Sequence, residues 1–206
     1  MHPLVGVLVS YLTGSIPFAY LAGKARGIDL RKHGSGNLGA TNAVRVLGKG
    51  IGALVYLGDT LKGTFAALVL PRLIDTPNPG LWSIAFGVAA IVGHVKPIFL
   101  LGQGGGKGVA TAGGVFLGLA WLPTVISMVL FILTVAITRY VSAGSLVVSV
   151  ALPVLLLAFR GLTDPLALIS CVIGAFVIWM HRANIVRLRH GTEPRIGSRR
   201  EEPARS

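Results

Sequence analysis

Apolar runs recur along the chain at residues 3–23, 51–73, 81–101, 108–122, 123–138, 141–159 and 163–180. A helix needs roughly 20 apolar residues to cross a hydrocarbon core about 30 Å thick, and most of these runs approach that length. The segments between them are polar and rich in glycine. This pattern predicts an all-α integral membrane protein of seven transmembrane helices. The fourth and fifth runs are contiguous over 31 residues. A single helix of that length would be about 46 Å long, too long for the core. Trp121-Leu122-Pro123 offers a break, because proline stops a helix and tryptophan favours the membrane interface.

Charge supports two spans there rather than one. With the N-terminus outside and seven crossings, 16 of the 19 lysines and arginines fall in inner segments or the C-terminal tail. Arg72 and Arg160 fall outside, and Lys62 lies within a span. Merging the two runs would put the arginine-rich tail opposite the basic 24–49 segment, against the positive-inside bias. The C-terminus is therefore expected to be cytoplasmic. The first run is expected to be a retained span rather than a signal peptide, since no small-residue cleavage pattern stands out.

Composition agrees with a membrane class. Charged residues make up 13% of the chain, against about 25% in soluble domains. The net charge of +12 reads as loop enrichment rather than nucleic-acid binding. Cys171, the single cysteine, allows no internal disulfide and is expected to be a small packing residue.

Under this topology every glycine-rich polar segment falls on the cytoplasmic side. The first is His33 to Arg45, HGSGNLGATNAVR. Gly34, Gly36 and Gly39 let the backbone approach a ligand, while Ser35, Asn37, Thr41 and Asn42 add neutral hydrogen-bonding groups. Asn37 onwards reads as a helix start, whose free amides attract anions, and Arg45 suits a bidentate contact to phosphate. A flexible loop is the alternative. The second runs from Gly93 to Thr111. Its core, Gly104-Gly105-Gly106-Lys107-Gly108, resembles a Walker loop but fails the test: Leu101 and Gly108 stand where that motif needs Gly and Ser or Thr. A backbone nest with an ammonium still suits a phosphate. His94 is expected to be structural, in a packed turn before Pro97.

The third segment, His181 to Gly197, leaves the last run and turns basic. His181 and Asn184, three apart, share a helix face. Arg187, Arg189 and the residues after Gly197 suit an anionic lipid surface. The Arg139–Ser145 turn adds Ser142 and Ser145. Asp59 and Lys62, also three apart, form an expected ion pair within a span. It serves either helix packing or support of the site. Seven acidic residues supply no paired carboxylates and no metal cluster, so neither a metal nor a cofactor is expected.

Three ordered stretches carry a resemblance. Gly34-Ser35-Gly36-Asn37-x-Gly39-Ala40-Thr41-Asn42, the Gly93-His94…Lys107-Gly108-Val109-Ala110-Thr111 stretch, and His181-Arg182-x-Asn184-Ile185-x-Arg187-Leu188 resemble the bacterial acyl-phosphate:glycerol-3-phosphate acyltransferases, the PlsY family. The resemblance runs from about residue 10 to 197. It departs at Gly102–Gly106, which holds an extra small residue, at Lys96 in place of a common aromatic, and at Arg195 in place of a usual lysine.

The resemblance implies one membrane-embedded acyltransferase domain over residues 1–197 and a basic, disordered tail at 198–206. It implies transfer of a fatty acyl group from acyl-phosphate to the 1-hydroxyl of glycerol 3-phosphate at the cytoplasmic face of the inner membrane, giving lysophosphatidic acid and phosphate. Ser35, Lys107 and His181 are the expected catalytic residues. Gly36, Asn37, Thr41, Asn42, Arg45, Gly105, Gly106, Gly108, Ser142 and Asn184 are the expected phosphate-binding residues. The partners are the two substrates and the bilayer, with no nucleic acid and no obligate protein. A substrate phosphate is favoured as the proton acceptor, with His181 donating a hydrogen bond. His181 as general base is the alternative. A transporter of phosphorylated metabolites is the competing class, but it calls for polar groups near the midplane and often for repeated halves, and no repeat is evident.

Overall fold

The computed structural model describes residues 2–197; the tail expected at 198–206 lies outside them. The helices are α1 (Pro3–Gly14), α2 (Phe18–Lys24), α3 (Ala40–Leu47), α4 (Lys49–Thr64), α5 (Leu70–Leu73), α6 (Pro79–Val95), α7 (Val109–Leu119), α8 (Trp121–Thr138), α9 (Val141–Arg160), α10 (Pro165–Met180) and α11 (Arg182–Arg189). No strand occurs among the described residues.

Local chemistry sets the boundaries. Asn78 caps α6 by accepting the Leu81 N–H at 3.2 Å. Asp164 caps α10 by accepting the N–H groups of Leu166 and Ala167 at 2.9 and 3.0 Å. Pro79 and Pro165 open those helices, where a missing N–H costs nothing. Between α4 and α5 a π turn spans Phe65–Val69, with the Leu70 N–H reaching Phe65 O. Pro71 has no N–H for Ala67 O, so the shifted register absorbs a proline that would break an α-helical ladder.

Five stretches are long and apolar enough to cross a membrane: Pro3–Lys24, Lys49–Leu73, Pro79–Leu100, Trp121–Thr138 and Val141–Arg160. α10 joins them only together with α11, across a 57° bend. The fourth expected run differs. α7 has 11 residues, about 16 Å of helix and half the hydrocarbon core. The break before α8 falls at Ala120 (φ −154°, ψ 67°), not after Leu122. Pro123 sits in the first turn of α8, a position that tolerates proline.

The bundle closes through small residues, because lipid gives helices little hydrophobic reason to associate. α1 packs on α6, α4 on α7, and α9 on both α8 and α10. A Cβ on Gly14 of α1 would stand 2.2 Å from Ala90 O of α6, and one on Gly114 of α7 only 2.0 Å from Thr60 O of α4. Thr64 Oγ1 adds a 2.9 Å bond to Gly114 O.

The expected Asp59–Lys62 pair is present at 2.7 Å with both side chains buried. Lys62 Nζ also donates to Ile16 O at 3.1 Å, a carbonyl at the break that Pro17 makes between α1 and α2. His94 is buried as expected. Cys171 corrects the sequence reading: it is exposed on α10 rather than packed inside. Among lipid-facing neighbours such as Leu168 and Val172, a thiol is one more small apolar group.

Gly114→Leu should lower the Tm of the detergent-solubilised protein by several degrees, since overpacking costs about 1–3 kcal/mol. The barrier is backbone, which cannot step aside. An unchanged Tm would contradict the α4–α7 contact.

Candidate active site

The first polar segment is a folded loop, and Asn42 organises it. Asn42 is 1% exposed. Its Oδ1 accepts the Ser35 N–H at 2.9 Å, and its Nδ2 donates to Leu30 O and His33 O at 3.2 and 3.0 Å. Gly34, at φ 65°, has no room for a side chain: a Cβ would lie 2.0 Å from Asn42 Oδ1. Asn42 was expected to contact phosphate directly; here its amide binds three backbone groups of the loop instead. Ser35, Thr41 and Arg45 are exposed beside it, and Gly36 and Asn37 are partly so.

The second segment rests on the first. A Cβ on Gly104 would stand 3.1 Å from Arg31 Cδ and 3.5 Å from Leu38 Cδ1. Arg31 is fixed by a forked pairing with Asp29, whose carboxyl its hydrogen bonds lower to about 2. On its other side the glycine loop abuts the end of α6. The Gly106 N–H donates to His94 O at 3.2 Å, and a Cβ on Gly105 would sit 2.0 Å from Val95 O. Gly108, at φ 86°, turns the chain into α7.

Lys107 leaves this loop toward the third segment, where Nζ donates to Asn184 Oδ1. Asn184 Nδ2 in turn donates to Glu193 Oε1 at 2.7 Å, and Arg187 Nε donates to Glu193 Oε2, also at 2.7 Å. Asn184 is thus buried between an ammonium and a carboxylate, which differs from the direct phosphate contact expected of it. Glu193 is held in turn by the chain after it. Ile196 N donates to Arg139 O at 2.8 Å, Arg139 Nη2 returns a bond to Ile196 O at 2.7 Å, and Arg195 Nε reaches the Tyr140 hydroxyl at 3.1 Å.

The electrostatics follow from this packing. Burial and the nearby Arg187 and Arg45 guanidiniums lower Lys107 to about 8, with Glu193 opposing them. Burial tends to raise Glu193, but Ser142, Asn184 and Arg187 beside it hold its carboxyl below the usual value. Asn184 and Arg187 bind the Glu193 carboxylate, and Lys107, with the Arg45 and Arg187 charges near it, leaves positive charge in excess over that one carboxylate. An excess of positive charge of this kind attracts anions.

His181 stands at the bend between α10 and α11 and is 3% exposed. Its Nδ1 lies 2.8 Å from Val177 O. A carbonyl only accepts, so Nδ1 carries the proton and Nε2 of the neutral ring is an acceptor. A neutral ring in this tautomer offers Nε2 as an acceptor, where a donor toward phosphate was expected. Glu193 was missed as a site residue. The signal was present: it is the sole acidic residue between His181 and Gly197. Among the described residues no group of three His, Cys, Asp or Glu side chains is placed to hold a metal.

An all-helical bundle of apolar helices with a positively charged cluster built from its loops has clear relatives. Residues 4–191 match the family model described as glycerol-3-phosphate acyltransferase. The glycerol-3-phosphate acyltransferase of Geobacter sulfurreducens is 46% identical over 197 residues, 95% of this chain and 98% of that one. That of Prochlorococcus marinus strain NATL1A is 41% identical over 198 residues, covering 94% and 98%. A crystal structure of PlsY (YgiH), an integral membrane glycerol 3-phosphate acyltransferase in its glycerol 3-phosphate form, superposes with a TM-score of 0.87 at 36% identity over 96% of both chains. Its lysophosphatidic acid form superposes at 0.84. The protein is an integral membrane acyltransferase, and the chain belongs to the glycerol-3-phosphate acyltransferase family.

The Lys107 value of about 8 sets a pH dependence. Lys107 is an ammonium below that value and neutral above it. Inorganic phosphate should therefore bind up to about tenfold more weakly at pH 9 than at pH 7, as isothermal titration would report. Lys107→Arg should remove the loss. A flat profile for the native protein would contradict a cationic Lys107 in the site.

Proposed function

We propose that the chain transfers a fatty acyl group from acyl-phosphate to the 1-hydroxyl of glycerol 3-phosphate, releasing lysophosphatidic acid and inorganic phosphate, as the first step of phospholipid synthesis. The observation that carries this reading is the partly buried Lys107 ammonium, held by Asn184 and crowded by Arg45 and Arg187. Both substrates bring phosphate charge to such a place.

Acyl-phosphate is a mixed anhydride. The glycerol hydroxyl oxygen forms the new ester bond to the acyl carbon, and the bond from that carbon to the phosphate oxygen breaks. The hydroxyl proton ends on the phosphate released. The chain needs no covalent nucleophile for this. It has to align the substrates and neutralise charge that moves onto the leaving group. Lys107 takes that charge, with Arg45 and the backbone amides of Gly105 and Gly108 around it, while the Gly106 N–H, bound to His94 O at 3.2 Å, holds the loop rather than the phosphate. Ser35, Asn37 and Thr41 hold phosphate oxygens from the first loop, while the Gly36 N–H, bound to His33 O at 3.1 Å, shapes that loop. His181 Nε2 accepts a hydrogen bond from the glycerol hydroxyl and orients it, while a substrate phosphate remains the final proton acceptor. Asn42 shapes the first loop, Asn184 aims Lys107, and Ser142 supports Glu193.

The reading includes seven crossings, an outer N-terminus, a cytoplasmic C-terminus and a site at the cytoplasmic face of the inner membrane. Parity supports it. Lys107 touches Asn184, so an even number of crossings must separate them. α8, α9 and α10 make three, which leaves α7 as the fourth. Residues 1–197 then form one domain, whose partners are the two substrates and the bilayer. A site gathered at one end of the bundle disfavours a transporter, which would place polar groups near the midplane.

Purified protein in detergent should form lysophosphatidic acid from palmitoyl phosphate and glycerol 3-phosphate. Lys107→Ala should lower the rate about a hundredfold, or ~3 kcal/mol, while the protein remains folded. Wild-type turnover in Lys107→Ala would remove the basis of this mechanism.

A further inference from the structure

Behind the glycine loop stands a buried group that the mechanism has not used. His94, at the end of α6, is 7% exposed. Its Nδ1 lies 3.3 Å from Asp59 Oδ1 on α4. The same oxygen takes Lys62 Nζ at 2.7 Å. With Nδ1 turned to the carboxylate, the opposite ring edge faces the loop. A Cβ on Gly106 would lie 2.1 Å from His94 Nε2 and 2.6 Å from Cε1. The Gly106 N–H also donates to His94 O. Both the ring and the main chain of His94 therefore meet the residue immediately before Lys107.

The loop needs such a support. It leaves the short Ile98–Leu100 turn and passes through left-handed conformations at Leu101, Gly102, Gly104 and Gly108. No helix or strand holds residues 101–107. Buried intramembrane charge is costly, and apolar residues would pack α4 on α6 as stably. A role at the loop accounts for keeping it.

We infer that Asp59 and His94 are positioning residues for acyl transfer: Asp59 fixes the imidazole, and the imidazole edge seats Gly106 so that Lys107 reaches Asn184. This rests on the reading of Lys107 as the catalytic cation.

A double-mutant cycle on the full-length enzyme, assayed with palmitoyl phosphate and glycerol 3-phosphate, tests it. His94→Ala should lower kcat about tenfold, with KM for glycerol 3-phosphate changed less than about threefold. Gly106→Ala, whose methyl meets the ring, should lower kcat about a hundredfold. The double variant, in which removal of the ring makes room for the methyl, should be no slower than Gly106→Ala alone. Losses that multiply would overturn the inference. Should either single variant fail to fold, Asp59→Asn with Lys62→Met keeps the volume and leaves no buried charge. It should retain its Tm within a few degrees and lose about tenfold in kcat. Wild-type kcat there would equally overturn it. Lys107→Ala, run in parallel, separates the two claims. Full activity in that variant sinks the reading of Lys107 and this inference with it. An inactive Lys107→Ala beside multiplying losses sinks the positioning role alone.

Discussion

The structure depends on one contact, the hydrogen bond from the Lys107 ammonium to the Asn184 amide. It joins the glycine loop before α7 to the helix after α10, two elements 77 residues apart. Asn184 can aim that ammonium because Glu193 fixes its other end, and Glu193 stays in place because Arg187 pairs with it and the following residues clasp the Arg139–Tyr140 turn. A half-buried lysine without this chain of partners would lose its proton or turn to solvent. With it, positive charge is held half-buried between the loops.

The helices serve that arrangement. Lipid offers no contrast in hydrophobicity to hold them, so backbone contacts at Gly14, Gly63, Gly114 and Gly174 do so instead. α7 is too short to fill the core by itself, and its close packing on α4 fixes the position of the loop that precedes it. The Asp59–Lys62–His94 group ties α4, α6 and the α1–α2 break together at the level of that loop.

Much of this was legible in the sequence, and the losses have physical causes. Hydrophobic run length found the five stretches long enough to cross, and α10 with its bend into α11, while glycine beside Ser35, Arg45 and Lys107 marked the polar segments. It misplaced the α7–α8 break, because Pro123 is tolerated in a first helical turn as readily as it ends a helix. Cys171 was assigned inside because a soluble core and a lipid face favour the same side chains. Asn42 and Asn184 were read as ligand contacts, since an amide that binds backbone or a neighbouring side chain looks the same in one dimension as one that binds phosphate. Glu193 was passed over because its partners lie at 184 and 187, and only the turn at Gly191 (φ 69°) brings it back to them.

The central claim is that Lys107 and Glu193 act as one unit through Asn184, and the most direct measurement is their energetic coupling in catalysis. kcat/KM for acyl transfer would be determined for Lys107→Ala, Glu193→Gln and the double variant. Glu193→Gln should cost about thirtyfold in the native background and less than about threefold once Lys107 is gone. Equal losses in both backgrounds would mean that the two residues act independently, and would contradict the account.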